Sequence, residues 1–274
     1  SEDRTGTGTL RVQHAYFDIN VADGLPRLIG KRISYKYALV EICWMLAGYT
    51  NTLYLKRNGV NYWDEWASED GSLGPIYGKQ MTDFNGVNQI QECIHKLRHN
   101  PYSRQIIMSL WNPAELADMK LPPCHAFYQF TSVETRGYRT LHLHVYQRSA
   151  DSFLGVPYDA LLFTFLLQFV AIATKMRVGH IHYTCGDFHI YENHINQVTQ
   201  YLRNVKTDSN GFMNDPLLDT KPTDFVLYKK LVSLLQEEFV NFKAVFKLLE
   251  KNNFDYYNSQ DYRNYGFIKA KVSV

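Results

Sequence analysis

Leu10, Val12, His14, Tyr16 and Asp18 fall at every second position, the period of a strand. Ala38, Ile42, Met45 and Leu46 then recur at helical spacing, predicting a helix with Glu41 near its middle and Gly48 at its end. Residues 60–80 carry two tryptophans and the punctuators Gly71, Gly74 and Pro75, and read as loop. A helix is expected over Gln89 to Leu97, and strands over Gln105 to Trp111 and Ala126 to Val133. From Arg139 to Gln147 the alternation is strict, with Leu141, Leu143 and Val145 set against His142, His144 and Tyr146. A long apolar helix follows from about Tyr158 to Lys175, then a short strand around His180 to Tyr183 and a helix from Ile190 to Arg203. The Asn-, Asp-, Gly- and Pro-rich stretch 208–222 leads into an amphipathic helix or helix pair from Asp224 to Lys251, before a C-terminal strand. The pattern is α+β. It predicts one domain over 1–274 with a helical insertion at about 208–259.

Composition narrows this picture. With 274 residues, 45% of them hydrophobic, the chain can bury a substantial core. A net charge of +2 gives no footing for an obligatory nucleic-acid partner or a disordered tail. Cys43, Cys93, Cys124 and Cys185 are far apart and form no CxxC pair, so a reduced, cytoplasmic setting is expected. The polar opening Ser1-Glu2-Asp3-Arg4 does not read as a leader. The apolar stretch from Ala160 to Thr174 contains Thr164 and Gln168 and is short for a membrane span, so it reads as a buried helix.

Candidate chemistry centres on Cys124, between Pro123 and His125. A lone cysteine is most often a small buried hydrophobe, and Cys124 becomes a candidate nucleophile only in company. Arg148-Ser149 at a strand end offers a forked cation and a hydroxyl suited to a phosphate monoester, and Arg4 and Arg104 can join the same anion site. His180, His182, Cys185, Asp187, His189 and His194 lack HExxH or CxxC spacing, so no metal is expected. Asp187, His189 and Tyr191 suit hydrogen bonding to a polar ligand instead. Trp63-Asp64-Glu65-Trp66 reads either as an aromatic-acidic wall or as a packed loop.

Taken together, Asp3 to Thr9, Trp63 to Trp66, Leu73 to Gln80, Pro123 to Phe127, Gln147 to Ser149, Phe153 to Pro157 and Gly186 to Tyr191 resemble the thymidylate synthase family, in order along the chain. The resemblance implies a mixed twisted sheet packed with helices and a homodimer formed through the sheets, with active sites shared across the interface. It implies that Cys124 adds to C6 of a pyrimidine, with Glu41, Tyr77 and Asp151 as further catalytic residues. By the same resemblance Arg4, Arg148 and Ser149 hold phosphate, Arg104 is lent by the other subunit, Gln147 is substrate-binding, and His189 and Tyr191 contact the sugar hydroxyl. Trp63, Asp151, Leu154, Gly155, Tyr158 and Val274 correspond to the set contacting folate, with 5,10-methylenetetrahydrofolate as cosubstrate. Gln105 departs from the family by replacing a second phosphate arginine.

A further departure is Asp159, where these enzymes carry asparagine. Uracil presents an N3–H donor beside an O4 acceptor, which an amide matches; cytosine presents an N3 acceptor beside an N4 amine. A carboxylate accepts from that amine and, with one shared proton, bonds N3 as well. Facing uracil it sets lone pair against lone pair, and an unpaired buried polar group costs about 1–3 kcal/mol, roughly tenfold to hundredfold in discrimination. The expected substrate is therefore dCMP and the expected product 5-methyl-dCMP. The alternatives are 5-hydroxymethyl-dCMP, ordinary conversion of dUMP to dTMP, and an inactive relative that binds nucleotide or RNA. Because relatives acting on dCMP are typical of bacterial viruses, a phage source and a host-cytoplasm location are expected.

Overall fold

In the computed structural model the described residues are 5–26, 28, 30–207, 225–254, 268–271 and 273. The N-terminal alternation forms two strands, β1 (Thr9–Val12) and β2 (Ala15–Asn20), interrupted at Gln13 and His14. Helix α1 (Tyr35–Leu46) follows, and its apolar spacing understates its burial. Nearly every residue is enclosed, Glu41 included, which makes it a central helix rather than an amphipathic one. Gly48 just past its end has φ +76, and a Cβ there would lie 2.6 Å from the Thr82 hydroxyl, so glycine is required on both counts. The stretch 60–80 expected to be loop follows a short helix, α2 (Leu53–Lys56), and its last four residues are instead helical, the start of α3 (Tyr77–Thr82). α4 (Gln89–His99) starts where expected and runs two residues further.

The remaining strands are β3 (Ile107–Ser109), β4 (His125–Thr135), β5 (Tyr138–Asp151) and β6 (Arg177–Tyr191), with the apolar helix α5 (Gly155–Thr174) between β5 and β6. They form one six-stranded sheet in the order β1-β6-β5-β4-β3, with β2 also beside β6. β5 and β6 are parallel, joined by the α5 crossover, and the other pairs are antiparallel. The short strand expected at His180 to Tyr183 is therefore part of a 15-residue strand. It is that long because β5 lines one edge while β2 and then β1 line the other. Gly186-Asp187 interrupts the apolar alternation and hides its continuation. The helix expected from Ile190 begins later, as α6 (Ile195–Thr207), because Ile190 and Tyr191 still pair with β1.

α5 is long and apolar enough to cross a membrane by length and composition, yet most of it is buried inside the protein, as a core helix. It covers the sheet face that carries Tyr128, Phe130, Leu141, Leu143, Val145, Ile181 and Tyr183, all enclosed. On the opposite face lie Tyr16, Phe127, His142, His144, Tyr146, His180 and His182, exposed or half-buried. Helices α7 (Phe225–Leu235) and α8 (Phe242–Lys251) realise the helix-pair alternative, and they join the core. Phe242, Val245, Phe246 and Leu249 form the buried stripe of α8 at i, i+3, i+4 and i+7. The described tail residues 268–271 and 273 form no strand.

Candidate active site

Cys124 lies at the entry to β4, where the register with β5 shifts between His125 and Phe127, a bulge of the kind that re-aims side chains beside active sites. The residue is held from three sides. Its backbone N–H donates to the Tyr77 hydroxyl at 2.8 Å, and its carbonyl accepts from the Arg148 backbone N–H at 2.8 Å. The Arg148 guanidinium donates from Nε to the Pro123 carbonyl and from Nη2 to the Pro122 carbonyl, each at 2.8 Å. A fixed cation is thus built into the turn that presents the sulfur, with N–H donors left over for an anion. His125 does not assist: its ring is buried, stacks on Tyr77 with centroids 4.3 Å apart, and is pushed down to about 3 by desolvation. It is a neutral core histidine.

Glu41 reaches the same region from α1. Its carboxylate accepts from Tyr62 Oη at 2.6 Å and from Trp63 Nε1 at 2.7 Å. Burial raises its pKa, while these two donors pull in the opposite direction. Trp63, expected among the folate contacts, is itself 6% exposed and spends its indole N–H on Glu41. Tyr77 is enclosed, and burial first, then the neighbouring Cys124, raises its phenol well above the ordinary range.

Asp159 sits in the second turn of α5 and points back toward β5. Gln147 Nε2 donates to its Oδ2 at 3.0 Å. Desolvation is the main reason its pKa rises from 3.8 to about 7, with Glu41 and Asp151 adding repulsion and Gln147 opposing. The residue is half-buried, so a ligand covering it would alter that value. Asp151, at the end of β5, accepts from the backbone N–H of Phe153 at 2.9 Å and of Leu154 at 3.2 Å, fixing the turn that launches α5. Leu154, Gly155 and Tyr158 occupy the start of α5, half-buried; Tyr158 accepts from the Ser34 N–H and lies 6.1 Å from Tyr62. Aromatic and aliphatic faces with a carboxylate among them suit a flat pteridine that carries N–H donors.

β6 brings the residues expected to meet the sugar up beside β5, with Asp187 opposite Ser149 and His189 opposite Asp151. Asp187 accepts from His189 Nδ1 at 2.9 Å and from Arg11 at 3.0 Å. The bond to the carboxylate places a proton on Nδ1 and turns Nε2 away from Asp187 as the ring's remaining polar atom. Tyr191 packs edge-on against His189 at 5.0 Å. The tail closes over this end of β6: His194 Nε2 donates to the Lys271 carbonyl at 2.7 Å, and Asn193 to Ser273 at 3.2 Å.

Arg104 and Gln105 are not brought to this site. Both are exposed ahead of β3, and the Arg104 carbonyl accepts from Gln129, five strand residues from Cys124, or roughly 16 Å along β4. Arg4 and Val274 lie outside the described residues. Among the described residues no three His, Cys, Asp or Glu side chains are arranged to hold a metal. His180 and His182 face the open side of the sheet while Cys185 and His194 point into the protein.

Three contributors gave no sequence signal. They are Tyr62, Tyr183 and Lys31, none of which belongs to a motif or a periodic pattern. Lys31 is in fact buried, donates to the Phe153 carbonyl and packs on its ring, and is lowered to about 8 by desolvation, against the raising influence of Asp151.

The thymidylate synthase family model matches residues 1–229. Among solved structures, thymidylate synthase from T4 phage superposes with a TM-score of 0.81 at 33% identity, over 100% of this chain and 94% of that one. Fold, cysteine turn and both matches converge: this chain belongs to the thymidylate synthase family.

Proposed function

We propose that this protein, as a homodimer, transfers a one-carbon unit to C5 of dCMP and releases 5-methyl-dCMP. One-carbon transfer to a pyrimidine nucleotide, with methylenetetrahydrofolate as cosubstrate, is the activity of the family. The choice of base rests on Asp159. Its carboxyl lies beside Gln147, and burial raises its pKa to about 7, so a protonated form with one donor and one acceptor is within reach near neutral pH. That pair fits the N3 and N4 edge of cytosine.

The chain's own groups have these roles. Cys124 Sγ bonds C6 and later leaves it, and Arg148 anchors the turn that aims the sulfur while offering its spare N–H groups to phosphate. Arg4 and Ser149 complete the anion site, with Arg104 supplied by the second copy. Its distance from its own chain's cysteine supports that sharing. His189 accepts from the sugar hydroxyl and Tyr191 donates to it. Glu41, with Tyr77, takes up the C5 proton. The folate supplies the one-carbon unit and, in the methyl outcome, the hydride, leaving as dihydrofolate. Asp151, Leu154, Gly155, Tyr158 and Val274 are assigned to its binding. Trp63 closes the wall behind Glu41, and exclusion of water there favours hydride over hydroxide as the final addition.

The test is to incubate the protein with dCMP and methylenetetrahydrofolate and weigh the nucleotide. A gain of CH2 is expected. A gain of CH2O would identify a hydroxymethylase, and turnover confined to dUMP would overturn the assignment of dCMP.

A further inference from the structure

The Asp159 carboxyl is oriented by a chain of hydrogen bonds that runs through Gln147 to Tyr183. Gln147 on β5 places its amide nitrogen 2.9 Å from the Ser149 carbonyl as well as 3.0 Å from Asp159 Oδ2. A backbone carbonyl can only accept, so the NH2 group must face that side and the amide cannot be flipped. Gln147 Oε1 then faces Tyr183, whose hydroxyl donates to it at 2.6 Å. Tyr183 is fully buried on the adjacent strand β6, two residues before Cys185, which pairs with Gln147 in the sheet. The Cys185 thiol contacts the same hydroxyl.

This chain of bonds has one polarity. Asp159 Oδ2 receives an N–H from Gln147, which favours Oδ1 as the oxygen that carries a proton. A neutral carboxyl with its donor on one side fits the N3 and N4 edge of cytosine. With donor and acceptor exchanged, the same carboxyl imitates an asparagine amide and fits uracil. An aspartate alone is therefore an incomplete base selector. We propose that Tyr183, acting through Gln147, is the positioning residue that fixes the polarity of the Asp159 carboxyl and so makes it read cytosine and reject uracil. This rests on the assignment of Asp159 as the base-reading residue.

The experiment compares kcat/KM for dCMP and for dUMP in the native protein and in Tyr183→Phe, Gln147→Leu and Asp159→Asn. Tyr183→Phe removes one buried donor and is expected to lower the dCMP-to-dUMP ratio about tenfold, partly by raising turnover of dUMP. Gln147→Leu, which removes the donor to Oδ2 itself, should lower the ratio at least as far, and it carries the test should Tyr183→Phe fail to fold. Asp159→Asn should reverse the preference. A purely structural role for Tyr183 would reduce both nucleotides by one common factor. An unchanged ratio in Tyr183→Phe and Gln147→Leu, with a reversed ratio in Asp159→Asn, overturns this inference alone. An unchanged ratio in Asp159→Asn overturns the base-reading assignment and this inference with it.

Discussion

Two carboxylates, the buried Glu41 and the half-buried Asp159, lie close enough to repel, and each is raised mainly by desolvation. Their surroundings differ. Glu41 has two strong donors, while Asp159 has Gln147 alone among the hydrogen bonds seen here. Removing the Tyr62 hydroxyl takes away one of the two influences that lower Glu41. In Tyr62→Phe the acid limb of the pH–rate profile should therefore move to higher pH, with kcat down about tenfold and nucleotide affinity little changed. A limb that stays in place would show that Glu41 is not the titrating base. For Asp159 the folded pKa lies above the unfolded one. Its proton is held in both states below about pH 4 and only in the folded state up to about pH 7. Stability is thus lost as pH rises through that window, at about 1.4 kcal/mol per unit, and then levels off. Asp159→Asn should raise the melting temperature of the ligand-free protein at pH 8 and leave it nearly unchanged at pH 4. A gain of equal size at both values would mean that charge burial is not its source. At this scale the sequence displayed Cys124, Arg148 and Asp159, because motif and residue type carry them. It concealed Tyr62 and Tyr183, whose partners lie 21 and 36 positions away and obey no local period.

Among the elements, the α7–α8 pair was legible as helices but not as core. A polar segment before it suggested an appendage, and amphipathic spacing does not say what covers the apolar stripe. The structure supplies the cover and the fastenings. Gln91 on α4 clamps Val240 from both sides, Nε2 to its carbonyl at 2.6 Å and Oε1 from its N–H at 3.1 Å. Arg98 donates to the carbonyls of Ala173 at the end of α5, Leu235 at the end of α7, and Glu238. A cation on two helix C-termini satisfies carbonyls that no backbone N–H reaches. Arg98→Met, which keeps the apolar stem, should cost about 2 kcal/mol and several degrees in thermal unfolding. Proteolysis should then release the α7–α8 region first; retention of native stability would make these bonds decorative. The same contrast governs the strands. β5 was legible because one face is apolar throughout, whereas the true length of β6 depends on three partners that only tertiary structure supplies.

For the molecule as a whole, the open sheet face is the surface that the proposed homodimer would bury, and four imidazoles stand on it. His142 and His144 on β5 stack against His180 and His182 on β6, with neighbouring centroids 4.6 to 6.0 Å apart. Facing them are Asp18, which accepts from His180 Nδ1 at 2.5 Å, Tyr16, bonded to His182 at 2.9 Å, and Thr131, bonded to His144 at 3.1 Å. His142 Nδ1 accepts the backbone N–H of His180 at 3.1 Å, so charging that ring would set two donors against each other. Burial and the neighbouring imidazoles hold His142 and His144 below the ordinary histidine value. A second copy seated on this face would remove more water and lower them further. Since the assembled form then binds fewer protons than the separated chains, association is at full strength above the range where the separated chains' His142 and His144 titrate, itself below the ordinary histidine value, and weakens as pH falls through it. Sedimentation at low protein concentration should show the dimer dissociating as pH drops from 7.5 to 5.5 in the native chain. Paired His142→Asn and His144→Asn substitutions should flatten that dependence. A dimer equally tight at both pH values would place these rings outside the interface or leave them uncharged throughout.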